Sequence, residues 1–203
     1  MKSNVKKPAS PGRVNRRSQI VAATEKLLRT RGLANATTRA IAEEAGCSEG
    51  AIYVHFRNRM ELLMAVLEES LPDMLAPLRA LEQATGTATP QENLQRALAA
   101  VHAFHCRVIP GLCALFSEPA LLAEYRKSLS DRNRGPQGAI GRLRRYIAAE
   151  QKIGRINQAV DSETAATCLM ANSFFHSFTG LFLGSTTPFG PFCSQFIAMV
   201  LDR

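Results

Sequence analysis

The segment "HAFHC" puts His102, His105 and Cys106 at i, i+3 and i+4, on one face of any helix that holds them. Two imidazoles and a thiol at that spacing could touch a small effector or a metal, or could simply line a core. Zinc wants a fourth ligand and a tighter motif, and none stands nearby, so no metal centre and no cofactor is expected. A second set of chemistry-bearing residues lies earlier. Arg39 can offer a guanine edge a planar two-pronged fork. Tyr53, His55 and Arg59 carry groups suited to phosphates or bases. Between them "CSEGAIY" opens on the small run Ser48, Glu49, Gly50 and Ala51, which lets a helix backbone come close to a partner. No catalytic residue is expected. There is no P-loop, no G-x-G-x-x-G, no H-E-x-x-H, and no carboxylate pair at helical spacing in an apolar face.

These residues need helices to place them. Ile20, Ala23, Leu27 and Leu28 line one face of a first helix, and Gly32 is a plausible stop. Thr37 or Thr38 can cap a second, with Ile41, Ala42 and Ala45 inward and Gly46 at its end. Ser48 can cap a third, buried through Ile52 and Phe56. Asn58 can cap a fourth, with Glu61 reaching back to the cap in a variant of the capping box. That fourth helix should run from 59 to about 70, where Pro72 and Pro77 kink or break it. Residues 85–90 read as a loop, 91–106 as helix, and Pro110 and Gly111 as an interruption before a short helix over 111–117. Residues 119–151 are patterned but weakened near "SDRNRGPQG". An apolar helix follows over 161–184, then a last helix over 189–202. No run alternates long enough for a sheet, so the fold class is all-α.

The bulk numbers fit a folded chain that meets a polyanion. Hydrophobic residues make up 46% and charged residues 21% of 203, and the formal net charge is +8. Residues 1–59 hold 12 Lys/Arg and 4 Asp/Glu, a net of +8, while residues 60–203 hold 13 of each. All the excess positive charge sits in the first third, which points to a polyanion-binding head on a neutral body. The five scattered cysteines, with no C-x-x-C, make no disulfide framework and suit a reducing compartment. The N-terminus is basic without an apolar h-region, so no signal peptide is read. The most apolar stretch, 173–184, is shorter than the roughly 18 residues a bilayer span needs. A cytoplasmic protein with no membrane partner is expected.

The turn "AGCS" between helices two and three fits a helix-turn-helix, whose second helix enters the DNA major groove. Here "TTRAIAEEAGCSEGAIYVHFRNRMELL" (37–63) resembles the DNA-binding head of the tetracycline-repressor (TetR) family of bacterial regulators. The matching features are Thr37-Thr38, Ile41-Ala42, Ala45-Gly46, Ser48-x-Gly50, Tyr53-x-x-Phe56 and a basic residue at 59 before Leu62-Leu63. The chain departs from the family's usual Val at 47 and Lys at 59, with Cys47 and Arg59 instead.

The resemblance implies a flexible basic arm (1–15), a three-helix helix-turn-helix DNA-binding head (16–60), and a larger helical effector-binding and dimerisation domain (61–203). It implies that Arg39, Ser48, Glu49, Gly50, Ala51 and His55 face bases, and that Thr38, Tyr53 and Arg59 anchor phosphates. Candidate effector contacts are His102, Phe104, His105, Phe116, Phe174 and His176. Candidate dimer contacts are Phe175, Phe178, Phe182, Phe192, Phe196 and Met199, on two helices that could form a four-helix seam with a second copy. The expected function is a ligand-responsive regulator, a repressor released from a near-palindromic double-stranded DNA operator by a small molecule. The alternatives are an activator or scaffold without an effector, and a redox or metal sensor.

Overall fold

The computed structural model describes residues 15–131, 136–184 and 187–201. Of the arm expected over 1–15, all but Asn15 lies outside those residues. The described residues form helices and no strands.

Short-range signals set the first three helices. Asn15 starts α1 (Arg16–Asn35) by accepting from the Arg17 N–H. Ile20, Val21, Ala23, Leu27 and Leu28 are its buried face. Gly32 breaks the helical dihedrals at φ 74°, ψ 171°, and turns the chain so that Leu33 and Ala36 are also buried. Thr37 caps α2 (Thr38–Ala45), its side chain accepting from the Ala40 N–H. Gly46, left-handed at φ 61° and ψ 44°, ends it, and the next amide, Cys47, donates back to the Ala42 carbonyl at 2.9 Å. Ser48 caps α3 (Glu49–His55), which buries Ile52 and is followed by the buried Phe56. Asn58 starts α4 (Arg59–Gln83). Glu61 does reach back, but to the Arg57 N–H at 2.7 Å rather than to the cap's own amide.

Two expected interruptions do not occur. α4 runs through Pro72 and Pro77, and α5 (Pro90–Leu115) runs through Pro110. A proline inside a helix costs about 3 kcal/mol. Here each is flanked by apolar residues whose burial offsets that cost. Met74, Leu78 and Leu81 are buried along and beyond the α4 prolines, and Val108, Ile109 and Leu115 flank Pro110. The start of α5 carries a full capping box, Thr89 with Glu92, inside the stretch read as loop. The patterned region after it divides into α6 (Pro119–Asp131) and α7 (Gln137–Lys152), with α8 (Ser162–Leu183) and α9 (Phe189–Leu201) completing the chain.

There are two cores. The first joins α1, α2 and α3 to Met60, Leu62, Leu63 and Val66 of α4 and to Leu115 at the end of α5. The second joins the rest of α4 and α5 to α7, α8 and α9, around Leu94, Leu98, Leu143 and Ile147. α4 and α5 therefore belong to both cores, and α4 runs across the boundary expected at residue 60. Of the helices, α5 is long and apolar enough by composition to cross a membrane, in place of the 173–184 stretch. It packs against α1, α4, α8 and α9 as the central core helix.

The seam between α1, α4 and α5 holds a partly open cavity of about 20 Å³ lined by Glu25, Leu28, Leu63, Val66, Arg107 and Gly111, among others. A Cβ at Gly111 would meet only the Leu28 Cδ1, at 3.8 Å, an ordinary contact. Gly111→Ala should therefore stabilise the chain by about 0.5–1 kcal/mol through helix propensity and filling. The readout is a thermal midpoint raised by about 2 °C. A lowered midpoint would show that the seam cannot accept a methyl.

Candidate functional site

The helix-turn-helix is built from α2 and α3. Its two helices are held by Ile41, Ala42, Ile52 and Phe56 against α1, which leaves the opposite side of α3 in solvent. Tyr53 is 58% and Val54 80% exposed, and Glu49, Gly50 and Arg57 are exposed as well. Ser48 is exposed too, but its hydroxyl oxygen is engaged by the Ala51 amide at 3.3 Å. The letters of Gly46-x-Ser48-x-Gly50 match a nucleophile-elbow pattern. That pattern requires a strand-to-helix turn, and here Ser48 joins two helices as a cap. Ala51 and His55 are half-buried on the flank of α3.

The polar groups of this face are partly preset. The Thr38 hydroxyl donates to Glu49 Oε2 at 3.1 Å, tying the start of α2 to the start of α3. Arg39 donates from Nε to Glu43 at 3.2 Å along its own helix, with both side chains largely in solvent. Such an exposed pair is worth little and is readily exchanged for a stronger anion.

Arg59 departs from its expected place. Its guanidinium turns inward, donating to the Leu33 carbonyl and pairing with Glu118 at 3.5 Å, and its Nε is buried without a hydrogen-bond partner. It ties the end of α1 to the start of α6 in place of facing outward to a phosphate. The reason is distance in sequence: Glu118 lies 59 residues on, and folding brings its carboxylate beside the first turn of α4. Arg57, two residues earlier, is exposed, and its guanidinium has no ion-pair partner among the described residues.

The histidines gather between α5, α8 and α9. His102 Nε2 and His176 Nδ1 are 3.1 Å apart. His176 Nε2 is 2.9 Å from the Thr187 carbonyl, which can only accept, so Nε2 carries the proton and Nδ1 receives one from His102. His102 stacks on Phe189 with ring centroids 4.0 Å apart, and Cys106 Sγ lies 3.7 Å from its Nε2. Burial, and then the nearby His176, lowers the His102 pKa. His105 points the other way, its Nδ1 3.3 Å from the Ser173 hydroxyl and its ring edge-on to Phe174. Burial first, then His102, pushes its pKa down to about 4.

Of the expected effector contacts, the fold brings His102, His105, His176 and Phe174 together and packs Phe104 against the adjoining core. Phe116 is a correction. It is 71% exposed at the end of α5, beside the head, because the uninterrupted helix carries it away from the histidines. Neither the seam cavity nor the open groove of about 570 Å³ at the far end of the body, lined by Thr89, Gln91, Arg155 and Leu201 among others, touches the histidine cluster. Among the described residues no group of three His, Cys, Asp or Glu is arranged to hold a metal.

The expected dimer contacts divide. Phe175, Phe178, Phe182 and Met199 are exposed, and Phe174, Phe178 and Phe182 form a ladder of near-parallel rings 6.4 and 5.9 Å apart along α8. Phe192 and Phe196 are half-buried within the chain itself. The first packs on His176 at 4.7 Å and the second against the body core.

Residues 20–66 match the family described as "Bacterial regulatory proteins, tetR family". The chain is similar to the HTH-type transcriptional activator FasR of Mycolicibacterium smegmatis, 37% identical over 45% of this chain and 40% of that one. It is also similar to the HTH-type transcriptional regulator TtgR of Pseudomonas putida, 48% identical over 26% of this chain and 25% of that one. Its alignments thus span well under half the length of these curated relatives. The fold is similar over nearly all its length to SmeT, described as the repressor of the Stenotrophomonas maltophilia multidrug efflux pump SmeDEF. That likeness has a TM-score of 0.67 at 20% identity and covers 92% of this chain and 88% of that one. The helix-turn-helix of residues 20–66 is thus similar to the heads of bacterial regulators of the tetR family, and it stands on an all-helical body.

Proposed function

We propose that the chain is a dimeric, cytoplasmic DNA-binding regulator that presents two copies of α3 to a near-palindromic operator and releases it when a small molecule engages the body. The observation that carries this reading is the outward face of α3 on a head that holds all the chain's excess positive charge. α5 supports the effector step. It is one continuous helix that carries His102, His105 and Cys106 in the body. One residue further on, Arg107 forms a two-pronged pair with Glu25 of α1 at 3.1 and 3.2 Å. A shift of α5 at the histidines would move the head through that pair. A repressor's sign follows SmeT, and FasR, described as an activator, carries the second reading.

The test is selection of bound duplexes from a random pool. Enrichment of a palindrome whose half-sites sit about 34–36 Å apart is expected, and no enrichment in dilute buffer would end the reading. Transcription from a reporter carrying that sequence separates repressor from activator.

Arg57 and Arg59 should then behave differently. Arg57→Ala should leave stability unchanged and flatten the salt dependence of operator binding by about one counterion per head. Arg59→Ala should lower stability by about 1 kcal/mol, the value of a half-exposed hydrogen-bonded ion pair, with the salt slope unchanged. Salt titrations that gave the reverse pattern would put Arg59 back on the phosphates.

A further inference from the structure

We propose, resting on the DNA-binding reading above, that Val54 is a specificity-determining residue whose isopropyl group packs against the 5-methyl of a thymine in the major groove. At 80% exposure Val54 stands further into solvent than the exposed phenylalanines of α8. It lies two residues from Ile52, about 200° around the helix, so it points away from the core that Ile52 joins. Side chains on a helix lean over the turn before them, and the residue four back from Val54 is Gly50. A Cβ at Gly50 would find only the Ser48 hydroxyl, at 3.9 Å. Among the described residues, then, little covers the Val54 methyls.

The surroundings select the occupant. Residues 1–59 carry a net +8, and Arg57, exposed just past the end of α3, is part of that charge. An apolar group on a positively charged head suits a polyanion that offers an apolar feature of its own. In the major groove only thymine does so, through its methyl.

Replacing single thymines of the selected operator by uracil deletes one methyl and keeps every hydrogen bond. Wild-type protein should lose about fourfold in affinity at one thymine of each half-site, and about fifteenfold when both are replaced, the effect of exposing a methyl's worth of surface. Val54→Ala should bind the parent duplex about as weakly as wild type binds the doubly replaced one. It should be indifferent to uracil at those two positions and keep wild-type helicity by circular dichroism. A uracil scan without a sensitive thymine, or Val54→Ala retaining the sensitivity, overturns the assignment while the regulator reading stands. Failure of the wild type to bind any duplex in dilute buffer overturns both.

Discussion

Phe175→Glu/Phe182→Glu is expected to convert the proposed dimer to a monomer and to weaken operator binding by a factor of about 10²–10⁴. The two positions are seven residues apart, so they lie on one side of α8, and they are 62% and 77% exposed in the single chain. Glutamate at either place meets water in the monomer, and the fold should lose no more than about 0.5 kcal/mol. In a dimer the same carboxylates would be buried opposite their symmetry copies, which is costly for unpaired charges. Phe178, Leu181 and Leu183 extend the same exposed surface along α8, and Met199 adds to it on α9. An apolar surface of that extent, exposed in the single chain, supports the proposed association through α8. The loss in DNA binding follows from tethering. Once one head is bound, the second is held near its half-site at an effective concentration that a monomer lacks. Sedimentation and operator titration at matched concentrations check both parts. A variant that sediments as the wild type does, with undiminished affinity, would move the dimer contact elsewhere.

The head was legible because its determinants are local. Thr37, Ser48 and Asn58 each announce a helix start within three residues of the amide they bond, and Gly46 announces an end through its own backbone. The misses are non-local. Whether Pro72, Pro77 and Pro110 break a helix depends on what is buried on either side of them, which a window of sequence does not contain. Arg59 was read as a free cation because Glu118 is remote in the chain. Phe116 was grouped with the histidines as one of several phenylalanines, but the continuous α5 carries it to the far end of that helix. Val54 was passed over as an ordinary helix residue. Its exposure follows from the burial of Ile52 and Phe56, which was read from the sequence, but no motif singled Val54 out. The spacing of His102 and His105 was visible, but not that their side chains part, one to His176 on α8, 74 residues on, and the other to Ser173.

That parting makes the body acid-sensitive, and the second large effect is a loss of stability between pH 7.5 and pH 5. His105 is 9% exposed, and its pKa is pushed down to about 4, chiefly by burial and then by His102. In the unfolded chain the same imidazole titrates near the ordinary 6.5. Between those values the unfolded state binds a proton that the folded state refuses, so stability rises with pH in that window. The contribution is fully present above about pH 6.5 and is lost as the pH falls toward 4. The whole span amounts to about 3 kcal/mol, of which about 2 kcal/mol is lost by pH 5. The lowered pKa of His102 acts in the same direction. Carboxylates titrate mostly below this window, so the histidines dominate it. Urea midpoints at fixed protein concentration should therefore fall from pH 7.5 to pH 5 in the wild type. In His105→Gln, which keeps a polar group near Ser173 and removes the titration, the unfolding free energy should fall by about 2 kcal/mol less. Equal slopes in the two proteins would mean that His105 takes up its proton in place, with the α5–α8 contact intact. Because α5 also carries Arg107 to Glu25, loosening that contact reaches the head as well, and operator affinity should drop over the same pH range in the wild type more than in His105→Gln.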